Sequence, residues 1–465
     1  MPETLAQQLA EFAVEAFKSG IGREAVAASK ASILDTIGVA LAARDEDAVR
    51  ISLEVASSQA GTAESTVLGT SLRLPATSAA MVNGTMAHAL DFDDTHLPSV
   101  LHPSASVVPT ILAVAEAMGA SGTDALAAEA IGSEITCRLG MAAYDEELRN
   151  SIFFEHGLHA TSICGTVGSG VGAALLMGAD ATTVANTIGI AASMGAGLLE
   201  ANRTGGTVKR THCGWAAHSG ISAAQLAVAG LTGPPTVLEG RFGFFEAYTE
   251  GRFNEKALTG DLGQRWEMAR LFVKPYPTNH FTHAGIDAAL ALRHDGVDPV
   301  QITEIELGVP APVLRTIAEP ADQKARPESG YHAKFSGPYT VAAAFLGGGG
   351  LGVTMADFSD TAISDTRRLE LAARVRCFAD EEATESFPNE FPGVVKLTLS
   401  DGSKHEHRVR HTRGGPENPL STEDLAFKFR LNADPVLGED RSSRLVDQIE
   451  SLDDHGSIAH MLSNL

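Results

Sequence analysis

Cysteine and positive charge are both scarce in this sequence. The cysteines are widely spaced and form no CxxC pair, which favours reduced thiols over a disulfide or zinc framework; they are Cys137, Cys164, Cys213 and Cys377. Acidic residues outnumber lysine and arginine by 58 to 35, giving a formal net charge of −23. We therefore expect neither nucleic acid nor an anionic membrane as a partner. A small anionic substrate remains compatible with this charge, because an acidic protein can hold a local basic pocket.

Long hydrophobic runs are also missing. No stretch approaches 18 strongly apolar residues, and the first residues lack the basic and apolar regions of a signal peptide, so we expect a soluble, cytoplasmic protein without a membrane span. Apolar residues make up 44% of the chain and charged residues 20%, which is typical of a folded globular protein. A chain of 465 residues exceeds what one core usually supports, which predicts two domains.

Several familiar catalytic motifs are absent. The sequence contains no GxxxxGK[ST] phosphate loop, no GxSxG elbow and no HExxH motif. Gly168-Ser-Gly-Val-Gly172 resembles a dinucleotide-binding loop, but no strand pattern precedes it, so we interpret it as helix packing. The pairs His156/His159 and His280/His283 have helical spacing that could hold a metal, yet neither has a third ligand in context. We predict no metal site.

The hydrophobic pattern is helical from Leu5 to about residue 265 and changes at Lys274-Pro-Tyr-Pro277, where two prolines end any helix. Beyond it, Ile305, Leu307 and Val309 alternate with more polar or small residues, as in a strand. Helical patterns lie at 282–293, before this strand, and at 336–346 and 365–371, after it. A hairpin is predicted at Ser400-Asp-Gly-Ser403, between 394–399 and 405–409.

Helical patterning returns after residue 416. The sequence therefore predicts a mainly α fold. A large all-α domain would comprise 1–268 and 412–465, and a smaller α+β lid domain with an antiparallel sheet would be inserted at 269–411.

Chemistry-bearing side chains are concentrated between Asn83 and Ser106, flanked by two alanine-rich helical patterns. They are Asp91, Asp93, Asp94, Thr95, His96 and His102. Buried carboxylates need partners, so a cluster of this kind is a costly way to stabilise a core. The alternative is an exposed acidic loop that caps the next helix, and the loop's own composition does not decide between the two.

Two lysines lie at irregular joints of this acidic chain. Lys209 is in a glycine-rich polar segment, and Lys274 is in the proline-rich hinge. Either lysine alone would be read as an exposed surface residue. Together with the acidic cluster and the His156–Thr161 loop, they favour a pocket that binds a carboxylate.

These residues belong to motifs that resemble those of the MmgE/PrpD family, a group that includes 2-methylcitrate dehydratase, cis-aconitate decarboxylase and iminodisuccinate epimerase. The resemblance covers nearly the whole chain. The motifs are Asn83-Gly-Thr-Met-Ala-His-Ala-Leu-Asp-Phe-Asp-Asp-Thr95, His102-Pro-Ser104, Gly157-Leu-His159, Lys209 with Gly214-Trp-Ala-Ala-His-Ser-Gly220, Gly240-Arg-Phe-Gly-Phe-Phe245, and Lys274-Pro-Tyr-Pro277 with Thr282-His283.

The resemblance implies an all-α domain made from both chain ends, an inserted α+β lid, a homodimer and no cofactor. It also implies an active site between the domains, lined by Asp91, Thr95, His102, His159, Lys209 and Lys274. A further family histidine matches either Asn279 or His280, and both stay candidates for substrate binding, as does Tyr276. The interval from Thr95 to His102 is one residue longer than in animal decarboxylases. Ala105 stands where the dehydratases tend to carry Asp, which disfavours dehydration.

The chemistry implied is a carbanion next to a carboxylate, which nearby cations stabilise. Lys209 and Lys274 would hold substrate carboxylates, and His102 and His159 are candidate general acid and base. Asp91 would orient an imidazole and Thr95 would donate a hydrogen bond to substrate. Decarboxylation, dehydration and epimerisation of a small di- or tricarboxylate stay open, as do a non-catalytic carboxylate-binding protein and a metal-dependent hydrolase.

Overall fold

The structure is a computed structural model that describes residues 3–59, 61–388, 390–454 and 456–465. The chain divides into two compact units, the first made of Met1–Phe272 with Leu425–Leu465 and the second of Val273–Asp424. The sequence-based domain boundaries, at 268/269 and 411/412, stay predictions.

The first unit is mainly helical. Its first segment contains two short strand pairs, β1 (Ser65–Thr66) with β2 (Arg73–Leu74) and β3 (Tyr144–Asp145) with β4 (Asn150–Ser151). The helices of this segment are α1 (Leu5–Ser19), α2 (Arg23–Ala42), α3 (Asp47–Ser58), α4 (Ala76–His88), α5 (Ser104–Met118), α6 (Gly122–Ala142), α7 (Ile152–Glu155), α8 (Ala160–Leu176), α9 (Ala181–Ala192), α10 (Ala201–Thr204), α11 (His212–Val228), α12 (Phe244–Thr249) and α13 (Glu255–Thr259).

The second unit contains a four-stranded sheet with the order β6-β5-β7-β8. The strands are β5 (Ile302–Val309), β6 (Val375–Ala379), β7 (Gly393–Leu399) and β8 (Lys404–Val409). Helix α14 (His283–His294) packs on β7, β8 and α18 (Gly337–Leu346). The remaining helices are α15 (Leu314–Ile317), α16 (Ala321–Ala325), α17 (Gly330–Ala333), α19 (Asp360–Ile363), α20 (Thr366–Ala372) and α21 (Glu381–Ser386). The chain ends with α22 (Thr422–Leu437), α23 (Glu439–Glu450) and α24 (Ile458–Leu462).

The predicted fold class, mainly α with a smaller sheet-containing domain, is confirmed. One detail of the predicted sheet is wrong. The hairpin of β7 and β8 is antiparallel as predicted, but β5 and β6 run parallel, so the sheet is mixed. The connection from β5 to β6 carries several helices, and a long crossover of this kind is what parallel pairing requires.

Small residues let the central helices of the first unit approach closely. Helix α8 packs against α6 and α11, and α11 packs against α4. A Cβ atom at Gly168 would overlap the carbonyl oxygen of Gly132, and one at Gly214 would overlap that of Met81. Helix packing, and not a dinucleotide loop, therefore accounts for Gly168–Gly172, which lies inside α8.

Helix α2 is long and apolar enough to cross a membrane, judged by length and composition. About two thirds of its apolar stretch is buried inside the structure, which is typical of a core helix in a soluble protein. Its Asp35 is buried in an ion pair with Lys428 of α22. A charged pair at this position fits a helix packed inside protein better than one facing lipid.

Candidate active site

The loop between α4 and α5 carries the acidic cluster, and its backbone is fixed at several points. Asp91 and Val100 adopt left-handed conformations with φ of 55° and 54°. The Thr95 N–H donates to the Phe272 carbonyl at 2.9 Å, and the Phe272 N–H donates to the Thr95 carbonyl at 2.7 Å. This backbone pairing holds the loop against the end of the first segment of unit 1.

Asp93 and Asp94 are buried, with 2% and 1% of their surfaces exposed. The exposed, helix-capping loop that composition alone allowed is therefore wrong. The Ser104 hydroxyl donates to the Asp94 carboxyl group. Burial raises the pKa of Asp94 to about 8, against the effect of that hydrogen bond, and the nearby carboxylates of Asp35 and Asp93 raise it further. We therefore expect Asp94 to be a neutral carboxyl group at pH 7.

Asp93 is the partner of two imidazoles. His88 Nδ1, at the end of α4, lies 2.7 Å from Asp93 Oδ2, and both side chains are buried. The same Asp93 oxygen is 3.6 Å from Nδ1 of His102. His102 Nδ1 also donates to the Asp94 carbonyl at 2.6 Å, and Thr95 Oγ1 lies 3.4 Å from the same nitrogen. One carboxylate therefore lies between two rings whose nitrogens are turned toward it.

Four imidazoles form a continuous series in the first unit. The ring centres of His102 and His88 are 5.5 Å apart, those of His88 and His159 are 5.3 Å apart, and those of His159 and His212 are 5.1 Å apart. His159 precedes α8 and His212 begins α11, so the series joins the ends of three helices. Nδ1 of His159 and Nδ1 of His212 are 3.0 Å apart.

The buried end of this series is held neutral. Burial lowers the pKa of His159 well below its usual range, and the charges of His88 and Lys209 lower it further. Burial and the same two neighbours lower the pKa of His212 to about 4. Lys209, in the turn before α11, therefore lies near enough to both rings to oppose their protonation.

Asp91 and His96 occupy different surroundings in the same loop. Asp91 is half-buried, and its backbone N–H donates to the His88 carbonyl at 3.4 Å. His96 is fully buried, with Nδ1 2.7 Å from the Ser99 hydroxyl and Nε2 3.6 Å from Glu267. The position of His96 favours a structural role, in which it fixes the loop to the segment that precedes Phe272.

The remaining candidate residues lie in the second unit. Lys274 is buried, with 2% of its surface exposed. The Tyr276 hydroxyl is also buried and donates to Asp287 at 2.7 Å, so this contact anchors the proline-rich turn. Asn279 accepts a hydrogen bond from the Phe281 N–H at 3.1 Å, while the His280 ring packs edge-on against Phe391.

Comparison with known proteins gives two matches that together cover most of the chain. The MmgE/PrpD N-terminal domain matches residues 7–256, and the MmgE/PrpD C-terminal domain matches residues 276–454. The chain belongs to the MmgE/PrpD family.

Three similar relatives carry the name cis-aconitate decarboxylase. Human cis-aconitate decarboxylase is 32% identical over 433 residues, covering 92% of this chain and 87% of the relative. The mouse enzyme of the same name is 31% identical over the same length. Cis-aconitate decarboxylase of Aspergillus terreus is 26% identical over 416 residues, covering 86% of this chain and 83% of the relative. These comparisons support an enzyme of the lyase class for this MmgE/PrpD member.

Within this family member, the structure brings His102, His159 and Lys209 together in the first unit, beside the loop that holds Asp91 and Thr95. Sequence reasoning missed two residues there: His88 lies within a family motif without a role of its own, and His212 follows Lys209 by three residues. The short spacing of His88 and Asp93, five residues, is a signal that the two side chains could pair. The left-handed turn that brings them together is not evident from the sequence. For Asp93 the sequence leaves a structural and a functional role equally open.

The metal alternative required either His156 with His159 or His280 with His283 to act together. His156 is exposed, with Nδ1 2.9 Å from the Tyr248 carbonyl, whereas His159 is buried with Nδ1 toward His212. Within the part of the chain that the structure describes, no group of three or more His, Cys, Asp or Glu side chains could hold a metal ion.

Proposed function

We propose that this MmgE/PrpD member is a cofactor-independent decarboxylase of a small di- or tricarboxylate, with cis-aconitate as the first candidate substrate. One structural observation carries the proposal. A lysine and four imidazoles lie together around buried carboxyl groups in the first unit. The similarity to three cis-aconitate decarboxylases supports this reaction over dehydration and epimerisation.

The reaction needs cations and a proton donor. When the bond to the departing carboxylate breaks, carbon dioxide leaves and the electron pair stays on carbon, delocalised toward a neighbouring carboxylate. A fixed cation near that carboxylate stabilises the charge as it develops. One proton is then added to carbon, and an imidazole is the side chain best suited to supply it near neutral pH.

Lys209 is the cation that we assign to a substrate carboxylate in the first unit. Its charge already acts on His159 and His212, so a carboxylate bound to Lys209 would lie within reach of the imidazole series. Lys274 is proposed as the second carboxylate contact, on the strength of the family resemblance and of its burial in the second unit. Thr95 is proposed to donate a hydrogen bond to substrate from the loop, and Asp91 is proposed to orient an imidazole.

The proposal is tested by proton NMR in D2O with cis-aconitate, citrate, 2-methylcitrate and iminodisuccinate. A decarboxylase releases carbon dioxide and leaves one deuterium on the product carbon. Loss of water or inversion of a stereocentre with deuterium exchange would instead reveal a dehydratase or an epimerase, and no conversion of any of the four would contradict the substrate class. His102→Gln is the inactive control, and His294→Gln is the matched control because this side chain is 92% exposed.

A further inference from the structure

His88 and Asp93 form a buried pair that the proposed chemistry has not yet used. An ionised carboxylate only accepts hydrogen bonds, so the 2.7 Å contact places a proton on His88 Nδ1 and makes Nε2 the atom that gains or loses a proton. That Nε2 is buried and makes no hydrogen bond within the described residues. His88 therefore fixes Asp93 on one side and reaches toward His159 on the other, with ring centres 5.3 Å apart.

His102 has its tautomer fixed in the same way. A carbonyl oxygen only accepts, so the 2.6 Å contact to Asp94 places a proton on His102 Nδ1 and leaves Nε2 to exchange one. Asp93 Oδ2, 3.6 Å from His102 Nδ1, places a negative charge beside the ring. An opposite charge at this distance favours the protonated imidazole.

At the other end of the series, the surroundings of His159 and His212 disfavour the protonated imidazole. Nδ1 of His159 and Nδ1 of His212 are 3.0 Å apart, so one donates and the other accepts. If both rings were imidazolium ions, two N–H groups would point at each other. At least one ring is therefore neutral, and Lys209 adds a positive charge that disfavours protonation of either.

We propose that His88 and Asp93 are positioning residues that make His102, and not His159, the imidazole that donates the proton to carbon. This inference rests on the proposed function and names the acid within it. The charged and titratable groups near the rings of His102 and His159 come from several elements: His88 on α4, Asp93 and Asp94 in the loop, Lys209 in the turn, and His212 on α11. Pairs of titratable groups whose environments differ in this way divide the acid and base roles between them.

The proton transfer balances with His102 and one proton from solvent. After carbon dioxide leaves, the electron pair on carbon takes the proton from His102 Nε2, and the imidazolium becomes a neutral ring. The Nδ1 proton stays in its hydrogen bond to the Asp94 carbonyl. A solvent proton then restores the imidazolium, and the charge of Asp93 favours that step.

The first test uses the unaltered protein without substrate. The imidazole nitrogens are labelled with 15N and titrated by NMR, and signals are assigned from their loss in His102→Gln, His159→Gln and His212→Gln. We expect the midpoint of His102 to lie above those of His159 and His212, whose pKa values burial and Lys209 lower. A midpoint of His159 above that of His102 would overturn the proposal, whether or not any substrate is ever turned over.

The second test separates positioning from a merely structural effect. Asp93→Asn keeps the shape and removes the charge, so the His102 midpoint should fall by about one pH unit or more. Because the acid must be protonated, the alkaline fall in kcat should move to lower pH by the same amount. Glu129→Gln is the matched control, since Glu129 is also a fully buried carboxyl group and accepts a hydrogen bond from Ser133 at 2.7 Å.

Equal loss of kcat at every pH in Asp93→Asn, with an unmoved His102 midpoint, would assign Asp93 a structural role and refute the inference. A shifted midpoint in a protein that converts none of the four carboxylates would instead refute the proposed function, and only the effect of Asp93 on the protonation of His102 would stand. His212→Asn distinguishes the two possible donors. If His159 were the donor, His212→Asn would shift the pH of the alkaline fall in kcat, and Asp93→Asn would not.

Discussion

Lys428 and Asp35 form a buried ion pair, with Nζ and Oδ1 2.5 Å apart and 2% and 3% of their side chains exposed. The same Nζ lies 4.0 Å from the centre of the Phe92 ring and 3.5 Å from the Phe92 carbonyl, to which it donates. Phe92 stands between Asp91 and Asp93. A lysine near the end of the chain therefore supports the loop that holds the candidate site.

The first prediction concerns this lysine. Lys428→Met leaves Asp35 buried without its cation, which should lower the free energy of unfolding by about 3–5 kcal/mol in a denaturant titration. Asp35→Asn combined with Lys428→Met should recover part of that loss, because no buried charge is left uncompensated. Lys30→Met is the matched control. It breaks the more exposed pair with Asp453 and should cost less than about 1 kcal/mol. A cost as small for Lys428→Met would contradict the role given to the pair.

A second prediction follows from the neutral carboxyl group of Asp94. Its pKa rises from an ordinary value near 4 to about 8 on folding, so the native state binds the extra proton between these values. Stability is therefore highest below about pH 4 for this group and is lost as the pH rises toward 8, at no more than about 1.4 kcal/mol per pH unit. Asp94→Asn mimics the protonated form and should remove this loss.

The measurement is the thermal midpoint of both proteins from pH 5 to pH 9. The thermal midpoint of Asp94→Asn, relative to that of the unaltered protein, should rise with pH and level off above about pH 8. Asp295→Asn is the control: its side chain is 68% exposed, so its contacts with water change little on folding and its difference from the unaltered protein should stay flat. An advantage that is constant with pH would show that Asp94 is ionised in the folded protein.

Close helix packing gives a third prediction. A Cβ at Gly214 would overlap the Met81 carbonyl, so Gly214→Ala forces α11 away from α4, and these helices carry His212 and His88. We expect a loss of about 1–3 kcal/mol in stability, as for other overpacked cores, together with a fall in kcat. Gly22→Ala is the matched control because the space around Gly22 is open. Equal effects of the two substitutions would contradict the packing argument.

The sequence predicted those parts of the fold that depend on local patterns. The Asp-Gly turn placed the β7–β8 hairpin, and helical periodicity placed α14, α18 and α20 to within about a residue at each end. The parallel pairing of β5 with β6 was missed, since it joins segments about 70 residues apart and no local pattern encodes the choice of partner.

The residues of the candidate site also divide into those that the sequence predicts and those that depend on contacts in the folded chain. His102, His159 and Lys209 were selected from residue type, irregular context and the family resemblance. The pairing of His88 with Asp93 depends on the left-handed backbone of Asp91, a conformation that the residue type permits but does not require. Lys428 was missed because its partner Asp35 is nearly 400 residues away, and charged residues in helical patterns are usually on the surface.

The last prediction tests Lys209 as a carboxylate contact. A charge-assisted hydrogen bond contributes about 1.5–3 kcal/mol, so Lys209→Met should weaken binding of cis-aconitate roughly tenfold to a hundredfold by calorimetry. The same change removes a positive charge that opposes protonation of His159, so the His159 midpoint should move upward in the 15N titration. Lys256→Met, an exposed lysine on α13, is the control and should change neither quantity. Weaker binding with an unmoved midpoint would place Lys209 on the substrate but away from the imidazoles, whereas a moved midpoint with unchanged binding would contradict the carboxylate contact.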